Sequence, residues 1–216
     1  TLEIHSEKDD LSELTSDAEV FITYRGVEKH KPENFTNLEY IQLSSTGIDQ
    51  VPLAFEEAGV LISNNKGGYS RSIGEFTVAR LLEVYKKLRE IDEDQHNKKW
   101  KVHRDLEDLY GKKILLIGTG SIASEIAMRL QAFQCHVVGL SVFGQRKEYF
   151  DVVITKKNLK DHLKESDVVI GTLPKTKDTD DFFDDTFFET MKEGSVFVNV
   201  ARGNAVDEEA LLKHSD

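Results

Sequence analysis

The sequence predicts an α/β protein built on parallel sheets, and two observations carry that expectation. Short apolar, β-rich runs alternate with helix-like segments along almost the whole 216-residue chain, the pattern of layered βα units. One of those runs passes through a glycine turn, Gly118-Thr119-Gly120, straight into a helix. Size agrees: a chain this long buries roughly 70% of the surface it exposes when unfolded, so it needs no staple. The single Cys135 excludes an internal disulfide and any Cys-x-x-Cys site.

Charge narrows the function. Lys and Arg total 28 against 39 Asp and Glu, a net charge of −11, which opposes broad contact with nucleic acid. It does not speak to one small anion site. No apolar run approaches the roughly 18 residues of a membrane span. The opening Thr-Leu-Glu-Ile-His-Ser-Glu-Lys-Asp-Asp is acidic and lacks Met, so it is no signal peptide, and the chain is expected to be processed or to begin upstream. These features lead us to expect a reduced, cytoplasmic protein with neither membrane nor nucleic-acid partners.

Strands are expected at residues 18–23, 40–43 and 60–63, with a weak one around Leu2 and Ile4. A helix over 51–58 is closed by Gly59. Asn64-Asn65-Lys66-Gly67-Gly68 is the strongest loop signal, and the domain boundary is drawn there, giving domains of residues 1–68 and 69–216. One long helix is expected from about Ser72 to Glu93. Its Ile73, Phe76, Val78, Ala79, Leu81, Leu82, Tyr85 and Leu88 are too many for one narrow stripe. They imply two buried faces, one available to a second subunit in a homodimer.

Beyond a polar stretch the alternation becomes more regular. Strands are expected at 113–117, 136–140, 152–154, 167–173 and 195–200, and helices at 121–131, 158–164 and 185–191, with a last one capped by Asp207. In the glycine turn, Gly118 permits the tight bend and Gly120 lets backbone approach a pyrophosphate. Ala123 keeps the helix close to the strand. The helix opening at Thr119, Gly120, Ser121 and Ile122 offers free N–H groups and a positive dipole end to phosphate. Small residues at such turns also serve packing alone. The strand before and the helix and second strand after favour a Rossmann dinucleotide site. Where an NAD enzyme carries an acid for the ribose 2′-hydroxyl, this chain has Ser141, followed by Arg146 and Lys147. A serine with two cations suits a 2′-phosphate, so NADP is favoured over NAD. The alternative is that both cations are ordinary loop charges.

Three segments in order resemble the D-isomer-specific 2-hydroxyacid dehydrogenase family. They are Asn64 to Thr77; Leu109 to Ala123 through the glycine turn; and Thr172-Leu173-Pro174 through Met191-Lys192-Glu193-Gly194 to Val198-Asn199-Val200-Ala201-Arg202-Gly203, completed by Val206 to Leu211. The run before the Arg-Lys pair is similar to members acting on glyoxylate or hydroxypyruvate with NADPH. The resemblance implies a flavodoxin-like substrate domain, incomplete at its N-terminus, ahead of a Rossmann domain incomplete at its C-terminus. It implies reduction of a small 2-oxo acid to a D-2-hydroxy acid, with Arg202 as the catalytic arginine. A guanidinium fork can grip the substrate's carboxylate and carbonyl oxygen and stabilise the developing alkoxide. Leu173 and Pro174 match the turn along the cofactor, and Thr179, Val200 and Ala201 match positions near its nicotinamide. Ser45, Thr46 and Gly47 resemble the loop whose N–H groups hold the substrate carboxylate, with Lys66 and Gly67 expected to face the same cleft. Tyr24 and Arg25 are candidates for selecting the substrate side chain, or plain surface residues.

The family's Glu–His pair lies downstream of the arginine motif. None of the seven histidines, His214 included, occupies its place. Five strands are counted from the glycine turn onward where two mononucleotide halves make six. Both ends are therefore expected to be cut short. The rival is a dinucleotide sensor without turnover, resembling corepressors related to these dehydrogenases, and another is an enzyme for 3-phosphoglycerate or formate. No GxSxG, HExxH or GxxxxGK[ST] is present. The acidic run Asp178 to Asp185 reads as the approach to a helix N-terminus rather than a metal cluster, so no metal is expected.

Overall fold

The computed structural model describes residues 2–6 and 17–215, and the chain divides into two compact units, Thr1–Tyr69 and Ser70–Asp216. In the first unit β1 (Val20–Thr23), β2 (Tyr40–Leu43) and β3 (Leu61–Ser63) form a parallel sheet in that order. Helix α1 (Leu53–Glu57) follows β2, and Gly59 leaves it at φ +84°. Val27, Phe35, Ile41, Leu43, Phe55 and Val60 make the core. Leu2 and Ile4 belong to no strand and are 79% and 86% exposed. Two alternating apolar residues bury too little surface to anchor an edge.

The second unit holds a five-stranded parallel sheet. Its strands are β4 (Lys113–Ile117), β5 (His136–Leu140), β6 (Val152–Ile154), β7 (Val168–Gly171) and β8 (Val196–Asn199), in spatial order β6-β5-β4-β7-β8. The chain runs outward one way from β4, then returns to build the other half from β7, so strand order reverses beside β4. Successive β4 residues serve opposite faces. Ile114 and Leu116 join the layer formed with α2 (Ser70–Tyr85) and α4 (Ser121–Gln131), whereas Leu115 and Ile117 join the layer of α5 (Leu159–Glu165), α6 (Asp185–Thr190) and α7 (Glu208–His214). All four are fully buried, each worth about 1.5–3 kcal/mol of transfer free energy. Burial on both faces explains why the strand reads as an unbroken apolar run rather than an alternation.

One residue of the acidic run, Asp184, caps α6, and Asp207 further along caps α7. Asp184 accepts the Phe187 N–H at 2.8 Å, and Asp207 accepts that of Ala210 at 3.0 Å, the N-cap arrangement.

The long helix expected over 72–93 is instead two, α2 (Ser70–Tyr85) and α3 (Leu88–His96), broken where Lys87 turns left-handed at φ +48°. No glycine or proline marks the break. A distant segment makes it: the Glu107 N–H donates to the Tyr85 carbonyl at 3.0 Å, and Lys86 and Lys87 pair with Asp108 and Asp105. Of the two apolar faces expected, the chain itself buries one. Gly74, Val78, Leu81 and Tyr85 are buried, while Phe76, Val84 and Leu88 are 61%, 52% and 42% exposed.

Candidate functional site

The glycine turn leaves β4 at the carboxyl edge of the sheet, and its two glycines have different jobs. Gly118 sits at φ +114°, and a Cβ there would lie 2.6 Å from Thr172 Oγ1. Its N–H donates to Leu140 O at 3.1 Å, and Thr172 donates through both its N–H and its hydroxyl to Ile117 O at 3.0 Å. Backbone conformation and neighbours therefore both require glycine at 118. Gly120 has an ordinary φ of −77°, and a Cβ on it would meet nothing within 4 Å. Packing gives no reason for that glycine. It keeps clear the space before the first N–H groups of α4, the space a dinucleotide pyrophosphate needs. On this observation the residues present fit such a group.

The sheet brings the other candidates to the same edge. Ser141 follows β5, with its N–H donating to Ile154 O at 2.9 Å. Leu173 and Pro174 follow β7, and Val200, Ala201 and Arg202 follow β8. Ligands of open parallel sheets bind outside such strand ends. Ile122 and Val200 pack partly on one core layer and Leu173 on the other. The Thr179 hydroxyl is committed to its own turn, donating to Pro174 O at 2.7 Å and accepting the Thr176 N–H at 2.8 Å. It shapes the loop. Arg146 is exposed and, with Lys147, lines a cavity of about 600 Å³ that includes Gln131, Tyr149 and Asp151. Gln131 lies at the far end of α4 from the glycine turn.

Arg202 is half-buried and donates to Ala201 O at 3.2 Å. Its loop is fixed by Asn199, which accepts the Ala201 N–H at 3.0 Å and donates to Arg202 O at 2.8 Å. Asn199 lies inside a family-like motif, yet sequence reasoning gives it no role. The available signal was an amide side chain at a strand end two and three residues before the bonds it makes.

In the first unit the loops after β2 and β3 are laced together. The Asn65 N–H donates to Ser45 O at 2.9 Å, Thr46 Oγ1 to Asn65 O at 3.2 Å, and Asn64 Nδ2 to Thr46 O at 2.7 Å. The Ser45 hydroxyl donates to Gly47 O at 2.8 Å. Ser45, Thr46 and Gly47 therefore stand beside the loop carrying Lys66 and Gly67, the latter at φ +89°. Tyr24, just past β1, is half-exposed and its carbonyl accepts from Gln50 at 3.0 Å. Arg25 pairs with Glu28 at 2.9 Å.

Several histidines have local acidic partners: His214 with Asp185 at 2.8 Å, His103 with Asp94 at 2.9 Å and His136 with Asp151 at 3.5 Å. His30 packs edge-on against Phe21 and Phe35. Burial pushes the Cys135 thiol up to about 11, with its Sγ donating to Leu109 O at 3.1 Å. Burial likewise raises the Tyr85 phenol to about 12. Burial resists ionisation of Asp167, but Lys192 and the Lys113 N–H outweigh it and hold the carboxyl below its usual range. Among the described residues no three His, Cys, Asp or Glu side chains group as metal ligands. No helix there is long and apolar enough to cross a membrane.

Residues 78–216 match the family model described as D-isomer specific 2-hydroxyacid dehydrogenase, NAD binding domain. A D-3-phosphoglycerate dehydrogenase of Archaeoglobus fulgidus is 30% identical over 179 residues, 82% of this chain and 34% of that protein. A hydroxypyruvate reductase of Thermotoga maritima is 28% identical over 213 residues, 97% of this chain and 69% of that one. The crystal structure of an Aquifex aeolicus D-lactate dehydrogenase complexed with NAD and lactic acid superposes with a TM-score of 0.81 at 27% identity, covering 94% of this chain and 62% of that one. The chain thus spans between a third and somewhat over two thirds of the length of these relatives.

Proposed function

The chain belongs to the D-isomer-specific 2-hydroxyacid dehydrogenase family, and from that premise we propose that it serves reduction of a small 2-oxo acid, glyoxylate or hydroxypyruvate, to the D-2-hydroxy acid. The observation that carries this reading is the carboxyl edge of one five-stranded sheet, where a glycine turn with open space before α4 and the Arg202 loop both emerge. A bound nicotinamide dinucleotide would supply hydride to the carbonyl carbon, and the proton taken up by the carbonyl oxygen would come from the Glu–His pair that the family places downstream of the arginine motif. The N–H groups that open α4 at Ser121, Ile122 and Ala123 hold its pyrophosphate, with Thr119 in the turn and Leu173, Pro174, Val200 and Ala201 along its length.

We assign Arg202 to the substrate carbonyl. Its guanidinium orients the oxo acid and stabilises the negative charge that develops on oxygen as hydride arrives. Within the first unit, Ser45, Thr46 and Gly47 form a short polar turn suited to an anion, which supports the carboxylate-binding role that the family resemblance gives this loop. Ser141, where a carboxylate would repel a 2′-phosphate, supports NADP over NAD. The exposed Phe76, Val84 and Leu88 support a homodimer, and the lone buried thiol supports a reducing, cytoplasmic setting. The relative named D-3-phosphoglycerate dehydrogenase favours a second reading, in which the substrate carries a phosphate.

The test is steady-state oxidation of NADPH and of NADH with glyoxylate, hydroxypyruvate and 3-phosphohydroxypyruvate, using the protein as the cell makes it. Highest kcat/KM with NADPH and either unphosphorylated acid supports the proposal. Preference for the phosphorylated acid replaces it with the second reading. Dinucleotide binding without turnover on any of the three leaves a sensor.

A further inference from the structure

Ser70 is the first residue of α2 and is only 4% exposed, yet it spends its hydroxyl proton on one partner: Ser70 Oγ donates to Ser121 Oγ at 2.9 Å. Ser121 is exposed, follows Gly120 and opens α4. A serine hydroxyl has one proton and two lone pairs. By donating, Ser70 occupies a lone pair of Ser121 and leaves the Ser121 proton available to an acceptor. Chains of this kind polarise each member, so the outer O–H becomes a better donor.

The pair is also held rigidly. Helices α2 and α4 pack so closely that a Cβ on Gly74 would lie 3.1 Å from Glu125 Cβ. Arg129 ties them further, reaching Glu75 at 3.0 Å and also pairing with Glu125. Ser70 therefore reaches Ser121 from a fixed platform.

We infer that Ser70 is a positioning residue of the dinucleotide site, orienting the Ser121 hydroxyl to donate to a pyrophosphate oxygen in the space that Gly120 keeps open. The inference rests on the dinucleotide-binding reading, but not on the substrate or on Arg202. A purely structural Ser70 would pin α2 to α4 and nothing more, and the two roles separate by measurement.

The experiment is calorimetric titration of the wild type, Ser70→Ala, Ser121→Ala and the double variant with NADPH and NADH, and with 2′-AMP and 3′-AMP, which carry no phosphate on the 5′-oxygen. Melting without ligand checks each fold. Ser121→Ala is expected to weaken the tighter dinucleotide about tenfold, the scale of one lost hydrogen bond to a charged group. Ser70→Ala is expected to weaken it about threefold to fivefold, with the mononucleotides unaffected. The double variant is expected to bind like Ser121→Ala alone, because the Ser70 effect passes through Ser121. Wild-type affinity in Ser70→Ala overturns the inference. So does an equal loss for mononucleotides, or a Ser70 effect that persists without Ser121. A folded wild type that binds neither dinucleotide overturns the dinucleotide reading and this inference with it.

Discussion

Asn199 grips Arg202 by the backbone: its Nδ2 donates to the Arg202 carbonyl at 2.8 Å while its Oδ1 accepts the Ala201 N–H at 3.0 Å. One side chain at the end of β8 thus fixes the turn from which the guanidinium projects. Removing the guanidinium and loosening its base are predicted to differ in degree. Arg202→Ala should lower kcat by at least about 10²–10³-fold, the scale of a lost transition-state donor, and Asn199→Ala by about tenfold or more. Both should keep wild-type dinucleotide affinity by titration. Loss of affinity in Arg202→Ala would mean the variant had misfolded.

The two glycines of the turn are predicted to fail in opposite ways. Gly118→Ala forces a side chain to φ +114° and against Thr172 Oγ1, and should lower unfolding free energy by about 1–2 kcal/mol or more in urea melts. Gly120→Val places its Cβ where nothing lies within 4 Å. Its midpoint should stay close to wild type while dinucleotide affinity falls at least about tenfold. A stable Gly120→Val that binds normally would remove the pyrophosphate from this turn.

Cofactor choice is predicted to respond at two positions. Arg146→Ala should weaken NADPH about tenfold, the scale of one charge-assisted hydrogen bond, and leave NADH unchanged. Ser141→Asp should repel the 2′-phosphate and raise relative affinity for NADH. Equal effects of Arg146→Ala on both dinucleotides would make it an ordinary loop cation on its cavity with Gln131.

Stability should fall at alkaline pH for an identifiable reason. Burial raises Cys135 to about 11 and Tyr85 to about 12, against roughly 8.5 and 10 in an unfolded chain. The unfolded state therefore loses these protons first. The stabilisation is complete below about pH 8.5, declines as the unfolded thiol and then the phenol ionise, and is gone once pH passes the folded values. Urea midpoints from pH 7 upward should show the decline, and Cys135→Ser should flatten its first part. In the native protein at pH 8, Cys135 should resist alkylation until denaturant is added.

Much of the second unit was legible because its signals are local. The runs at β4, β5 and β6 match their expected bounds residue for residue, since residues 114–117 and 137–140 are buried and read as short continuous apolar runs. The expected strands over 167–173 and 195–200 shorten to Val168–Gly171 and Val196–Asn199. Leu173 and Val200 carry apolar character past the strand ends into loops at the carboxyl edge, and Asp167 and Ser195 lie in the turns that enter the strands. The break at Lys87 was not legible, because its cause lies about twenty positions away at Asp105 to Asp108. Thr179 matched a motif, but only the folded loop shows its hydroxyl spent on Pro174 and Thr176.

By itself the sequence determined the layered α/β class, the glycine turn with its following helix, and the family, because spacing, small residues and apolar runs act over a few neighbouring positions. The tertiary structure decided which residues meet. It set the strand order that brings Ser141, Leu173 and Arg202 to one sheet edge. It also decided that Gly118 is needed by its neighbours and Gly120 by none, and that Ser70 and Ser121, fifty-one positions apart, share a hydrogen bond. Such meetings depend on how helices and strands pack across long stretches of chain, and no local pattern encodes a contact whose partner lies on another element.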